Sequence, residues 1–163
     1  MAHLQRLWAP WRNCFIAHPQ PRRCIFCAAK RSRADRAHYV VARGRHVFTL
    51  LNLYPYNNGH VMIAPYRHVG TLTTLAPAEW SEMLQMSQRI MTRLTRLLHA
   101  QGFNVGMNLG RVAGAGIPGH LHLHVVPRWQ GDTNVMPIIA HTKVISQSLD
   151  ELYTMLATSR RRR

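Results

Sequence analysis

Acidic side chains are scarce. Six Asp and Glu stand against 21 Lys and Arg in 163 residues, a formal charge of +15 at neutral pH. The six are Asp35, Glu79, Glu82, Asp132, Asp150 and Glu151, and none sits in a metal-binding acidic motif. A two-carboxylate glycosidase or a carboxylate-bridged two-metal hydrolase would need most of that set at one point, so both are disfavoured. Cysteine is nearly as rare, with Cys14, Cys24 and Cys27 alone. An odd count with one Cys-x-x-Cys pair fits a reducing compartment and a metal site better than a disulfide framework. No stretch reaches the ~18 uninterrupted apolar residues of a membrane span. MAHLQRLWAPWRNCF also lacks the apolar centre of a secretory signal, so a cytoplasmic protein is expected.

What is present points elsewhere. The bases are nearly all arginine, since Lys30 and Lys143 are the only lysines. Such a surface suits a polyanion: a nucleotide, a nucleic acid or an anionic membrane. The apolar fraction is 47%, enough for one globular core in a single domain spanning 1–163. Eleven histidines make imidazole the expected carrier of any chemistry.

The pattern along the chain predicts an α+β fold with a largely antiparallel sheet. Residues 1–37 read as an irregular arm holding LWAPWR and the Cys-x-x-Cys, with 30–37 a solvated charged loop. Tyr39–Ala42 and His46–Asn52 read as a hairpin around Arg43-Gly44-Arg45. Pro55, Asn57, Asn58 and Gly59 form a turn, and His60–Ala64 a third strand closed by Pro65. Pro77 suits the first turn of a long helix, with Trp80, Met83, Leu84, Ser87, Met91, Leu94 and Leu98 as its core stripe. Arg89, Arg93 and Arg96 lie opposite, as a solvated face or a nucleic-acid contact. Phe103–Asn108 and the run HLHLHVVPRW read as two more strands, and 148–158 as a short C-terminal helix before a basic tail at 159–163.

The run His120-Leu121-His122-Leu123-His124-Val125-Val126 carries the chemistry. On a strand alternate side chains share a face, so three imidazoles line one side while Leu121, Leu123 and Val125 enter the core. The preceding loop holds Gly114, Gly116 and Gly119, which permit positive φ and a nest of backbone N–H groups for phosphate oxygens. Neutral imidazole is a competent nucleophile near pH 7, and a protonated neighbour can stabilise charge at phosphorus. A metal-binding strand or an exposed edge would give the same pattern. Cys24-Ile25-Phe26-Cys27 alone is half a zinc site or a redox pair. A redox pair would sit at a helix start, and no helix is expected there.

HLHLHVV resembles the signature of the histidine-triad (HIT) superfamily. So do Asn52 to Val69 (NLYPYNNGHVMIAPYRHV), GFNVGMNLG and PRWQGDTN, and with LWAPWR the resemblance covers most of the chain. It is nearest to the bacterial branch related to diadenosine tetraphosphate phosphorylases. The resemblance implies a HIT-like fold and a nucleotide hydrolase or nucleotidyltransferase acting on dinucleoside polyphosphates. It implies His122 as the nucleophile that carries a nucleotidyl group, His124 as the phosphate ligand that stabilises the transition state, and His120 as a residue that orients His122 or binds metal. His60 would support the triad from behind, Asn52 would contact the ribose, Asn108 the phosphate, and Trp129 would line the substrate site. Where many relatives carry Gln-Ser or Gln-Thr, this chain has Ala115 and Gly116, so phosphate contacts there would come from backbone N–H. Zinc-bearing relatives imply a structural zinc held by Cys24, Cys27, His68 and His120; two reduced structural cysteines are the alternative. Cys14 reads as a small packed residue.

The resemblance also implies a homodimer with an interface at the long helix and neighbouring strands. Two other functions remain open from sequence. One is a zinc-stabilised nucleic-acid-binding protein without turnover, favoured by the charge. The other is a HIT enzyme acting on adenylylated nucleic-acid ends. A uridylyltransferase of the galactose-phosphate type is disfavoured, because its relatives replace the third triad histidine with Gln and this chain keeps His124.

Overall fold

The computed structural model describes residues 24–134 and 144–158. LWAPWR, Cys14 and the basic tail lie outside them. Among the described residues three α-helices, α1 (Ile25–Arg31), α2 (Pro77–Leu98) and α3 (Leu149–Thr158), accompany five strands. The strands are β1 (Val40–Arg43), β2 (Val47–Leu51), β3 (Val61–Pro65), β4 (Gly102–Gly106) and β5 (Leu123–Arg128). They form one sheet in the order β1-β2-β3-β5-β4, antiparallel at every step. The expected α+β architecture is therefore present.

Strict alternation along the central strands divides the interior in two. Val47, Leu51, Val61, Ile63, Leu123 and Val125 face α2 and α3, where Met83, Met86, Ile90, Leu94, Leu152 and Leu156 meet them. Phe48, Leu50, Met62 and Ala64 face the other way, against Phe26 and Ala29 of α1. Each fully buried side chain of this size contributes roughly 1.5–3 kcal/mol. His124, paired with Met62 in the ladder, falls on the α1 face.

The structure corrects three sequence expectations. Residues 24–37 are not an irregular arm: Ile25–Arg31 is a helix, and Arg36–His38 a single 3-10 turn. Seven residues are too few to show a helical period, and such a helix is marginal without tertiary packing; here Phe26 and Ala29 supply it by complete burial. The core stripe of α2 is Met83, Met86, Ser87, Ile90 and Leu94, whereas Trp80 and Leu84 are exposed. Apolar residues on both sides of the true stripe gave the period without its phase. Finally, β5 begins at Leu123 rather than His120. The β3 residue that would pair next but one is Pro65, which has no N–H to extend the ladder.

One glycine is demanded by geometry, and a second is closely packed. Gly59, at φ +71°, turns the chain into β3, and a Cβ there would meet Leu98 Cδ1 at 2.8 Å. A Cβ on Gly119 would sit 3.3 Å from His68 Nε2.

Carboxylates hold the ends of the elements. Glu79, at the third position of α2, accepts the Ala76 N–H at 2.9 Å and both Arg67 Nε and Nη2, at 2.8 and 2.7 Å. Ser148 and Glu151 cap α3 reciprocally, at 3.2 and 3.0 Å. Glu82 reaches from α2 into the β1–β2 turn and accepts the N–H groups of Arg45, His46 and Val47. Burial alone would raise its pKa, but those three donors outweigh it and hold the carboxyl below its ordinary value. A depressed carboxylate contributes stability above its unfolded pKa of about 4.3, and loses it as pH falls through the lower folded value. Glu82→Gln should therefore cost ~1–2 kcal/mol in urea unfolding at pH 7. The difference from wild type should shrink below about pH 4; a constant difference across that range would show that the charge has no part.

Candidate active site and metal-donor cluster

The site lies on the α1 face, where β5 meets the segment that follows β3. His122 and His124 have ring centroids 4.8 Å apart, and His124 Nδ1 lies 2.9 Å from His60 Nε2. His60, His120, His122 and His124 are all buried. Burial, with the neighbouring imidazoles His124 and His122, lowers the pKa of His60 to about 3. Burial likewise lowers His120 to about 4 and holds His122 below the ordinary histidine value. His60, His120 and His122 are thus neutral imidazoles at neutral pH.

The bonds around His120 and His122 fix where their protons sit. His122 Nδ1 lies 2.8 Å from the His120 carbonyl oxygen. A carbonyl only accepts, so Nδ1 carries the hydrogen and Nε2 the lone pair. His120 Nε2 likewise donates to the Pro65 carbonyl at 2.9 Å, which leaves the lone pair on Nδ1. Phe26, fully buried between the two cysteines in sequence, packs 4.9 Å from the rings of both His120 and His122.

His120 Nδ1 faces the expected donors: Cys24 Sγ at 3.3 Å, Cys27 Sγ at 3.7 Å and His68 Nδ1 at 3.2 Å, with Cys27 Sγ 3.2 Å from His68 Nδ1. The four donor atoms lie within 4.8 Å of one another. Bond lengths of ~2.3 Å to sulfur and ~2.0 Å to nitrogen give tetrahedral edges of about 3.3–3.8 Å, so this set can hold one metal ion. Burial pushes the Cys24 thiol up, and a bound cation would offset that by drawing the thiolate. The Cys-x-x-Cys does sit at a helix start after all, with Cys24 at the residue preceding α1. What separates it from a redox pair is the two converging imidazoles.

Other expected residues are placed unequally. Asn52 lies beside His60, its Nδ2 3.2 Å from His60 Nδ1. In the loop before the triad, Gly110 and Gly114 take positive φ, +83° and +84°, while Gly116 and Gly119 do not. Asn108 Nδ2 donates to the Gly114 carbonyl at 3.4 Å. The Ala115 N–H donates to Gly110 O at 3.2 Å and closes the loop on itself, so it is not held open for phosphate. Trp129 is not brought to the triad within one chain. It follows the far end of β5, ~16 Å along an extended strand from His124, and its Nε1–H donates to Leu98 O at 3.1 Å. Sequence reasoning missed Phe26 and the carbonyl of Pro65. The apolar residue between the two cysteines was a visible signal for the first; a backbone acceptor leaves none.

The geometry agrees with comparisons to known proteins. The HIT domain profile matches residues 33–131. An AP-4-A phosphorylase of Mycobacterium tuberculosis is 41% identical over 163 residues, covering 95% of this chain and 84% of that protein. An uncharacterized HIT-like protein of Methanocaldococcus jannaschii is 30% identical over 129 residues, covering 79% of this chain and 95% of that one. Among solved structures, a Zn-bound histidine triad family protein from Mycobacterium smegmatis superposes with a TM-score of 0.66 at 27% identity, covering 83% of this chain and 91% of that chain. The buried imidazole row and the family match over most of the chain lead to one assignment: the chain belongs to the histidine-triad, or HIT, family.

Proposed function

We propose that this chain cleaves dinucleoside polyphosphates such as diadenosine tetraphosphate through a nucleotidyl-histidine intermediate on His122. The observation that carries this reading is the bond from His122 Nδ1–H to the His120 carbonyl at 2.8 Å. It aims a lone pair from Nε2 and gives the ring a partner for the charge it acquires. In the first displacement that lone pair attacks the α-phosphorus, an N–P bond forms, and the bridging P–O bond breaks to release a nucleoside polyphosphate. The imidazole becomes cationic as the bond forms, and its hydrogen bond to the His120 carbonyl strengthens with it. In the second displacement an oxygen of orthophosphate or water attacks the same phosphorus, and the P–N bond breaks to restore the lone pair. His124 and the N–H of Gly116 hold phosphoryl oxygens, and Asn108, which bonds the Gly114 carbonyl, contacts the phosphate from the same loop as Gly116. The AP-4-A phosphorylase relative favours orthophosphate as acceptor.

The donor set Cys24, Cys27, His68 and His120 fits zinc, in keeping with the Zn-bound relative. When bound, zinc would supply a rigid cross-link between α1 and the segment entering β5. It would fix the backbone whose carbonyl orients His122. Zinc here has a structural role.

The surplus of arginine would raise the local concentration of an anionic substrate, and nucleic acid is a second partner open to the same surface. A binding module without turnover would leave the buried imidazoles without a task. No helix among the described residues is long and apolar enough to cross a membrane. Free Cys24 and Cys27 support a cytoplasmic site. A homodimer is supported by the edge strand β4 with exposed Val105, and by Trp80 and Leu84 exposed on α2.

Two outcomes follow. His122→Asn should lower diadenosine tetraphosphate turnover by on the order of 10³-fold or more. Wild type should release nucleoside diphosphate only when orthophosphate is present; mononucleotide alone would make it a hydrolase, and full activity in the variant would remove His122 from the chemistry. Cys27→Ser should lose one equivalent of zinc by elemental analysis and lower Tm by roughly 5 °C or more. An unchanged Tm with full metal content would separate Cys27 from the cluster.

A further inference from the structure

His124 can hold a phosphoryl oxygen only if it presents a hydrogen, and a neutral ring has one hydrogen to place. We propose that Asn52 is a positioning residue that fixes the tautomer of His60 and, through it, puts the hydrogen of His124 on Nε2. The inference rests on the reaction proposed above for its consequence, though not for its geometry.

The argument starts from a backbone donor. Asn52 Oδ1 accepts the Tyr54 N–H at 3.0 Å, which settles which end of the amide is which and turns Nδ2 toward His60 Nδ1 at 3.2 Å. The Tyr56 N–H points at the same nitrogen, at 3.1 Å. Two donors converge on His60 Nδ1, so that atom must carry the lone pair. His60 is only 1% exposed, and its burial keeps the ring neutral. Its one hydrogen is therefore on Nε2, 2.9 Å from His124 Nδ1. His124 accepts there and keeps its own hydrogen on Nε2. The Tyr56 ring packs 4.6 Å from His60 and 5.6 Å from His124, and holds both ring planes. Inverting the relay would turn a lone pair of His124 toward an anionic oxygen, exchanging a hydrogen bond for repulsion. The resemblance gives Asn52 to the ribose. Here it faces the imidazole relay, and the two roles differ in what they do to kcat and KM.

The test is long-range ¹H–¹⁵N NMR on the full chain, ¹⁵N-labelled at histidine and purified with zinc, beside steady-state kinetics on diadenosine tetraphosphate. In wild type both His60 and His124 should be protonated at Nε2 and bare at Nδ1; a hydrogen on Nδ1 of either ring overturns the proposal. In Asn52→Asp the carboxylate should draw a proton onto His60 Nδ1, and kcat should fall on the order of 10²-fold with KM little changed. In Asn52→Ala only the Tyr56 N–H still points at His60 Nδ1, so the His60 and His124 ¹⁵N signals should move part-way toward the opposite tautomer and kcat should fall by up to about tenfold; wild-type signals in this variant would overturn the role of Asn52. Unmoved His60 signals in Asn52→Asp, or a rise in KM at constant kcat in both variants, overturn the proposal, and the latter assigns Asn52 to the substrate. Should wild type turn over no dinucleoside polyphosphate, the proposed reaction falls while the NMR arm still decides the tautomers.

Discussion

The arrangement of the site depends on His120, which uses three atoms in three directions. Its Nε2–H is tied to the Pro65 carbonyl at the end of β3. Its Nδ1 faces the cluster of Cys24, Cys27 and His68. Its carbonyl receives the hydrogen of His122 Nδ1. One residue thus joins the sheet, α1 and the proposed nucleophile. Its ring is buried and neutral, so each of its contacts has a defined donor and acceptor. Such a network keeps a side chain within the narrow tolerance that attack at phosphorus requires. Phe26 adds the packing that lets a seven-residue helix take part, since it presses on His120 and His122 together.

The scarcity of acids takes on a structural meaning. All six have work away from the imidazoles. Asp35 pairs with Arg43, Glu79 with Arg67, Asp132 with Arg128 and Asp150 with Arg36. Glu82 holds the β1–β2 turn, and Glu151 caps α3. Among the described residues none of them contacts a triad histidine. A family of sites built on Asp–His pairs would orient its imidazoles by charge. This one uses neutral acceptors, the carbonyls of His120 and Pro65, and neutral donors, the Tyr56 N–H and the Asn52 amide that the Tyr54 N–H orients. Burial lowers the pKa of His60, His120 and His122 and outweighs the carbonyl acceptors, which raise it for the last two, so these three rings stay unprotonated near neutral pH.

Much of this was legible in the residues. The alternation of histidines with Leu121, Leu123 and Val125 brought the imidazoles together as strand geometry predicts, although only His124 lies on β5 and packing against Phe26 gathers His120 and His122. The metal-donor set was legible through resemblance alone, since no spacing rule connects Cys24 with His68. The phase of α2 was not legible. Trp80 and Leu84 are as apolar as the buried Met86 and Ile90, and only the sheet they face or fail to face tells them apart. Nor was α1, whose stability comes from its partners. Trp129 sits on the end of α2 because an indole N–H near a helix C-terminus finds an unpaired carbonyl, a contact visible only once α2 and β5 are side by side.

The sequence by itself determined the chemistry available: histidine without spare carboxylates, a row of three imidazoles behind a glycine-rich loop, and a cysteine pair at half-site spacing. These follow from composition and from short-range periodicity. Tertiary structure decided which nitrogen of each imidazole holds its hydrogen. That choice is made by carbonyls and N–H groups of residues as distant as Pro65 and His120, and these become neighbours only when β3 and β5 pair. It also decided that Asn52 faces His60, because the turn between β2 and β3 aims the Tyr54 and Tyr56 N–H groups inward. Every residue carries the same backbone donors and acceptors, so nothing in the order of side chains announces which ones will orient a site.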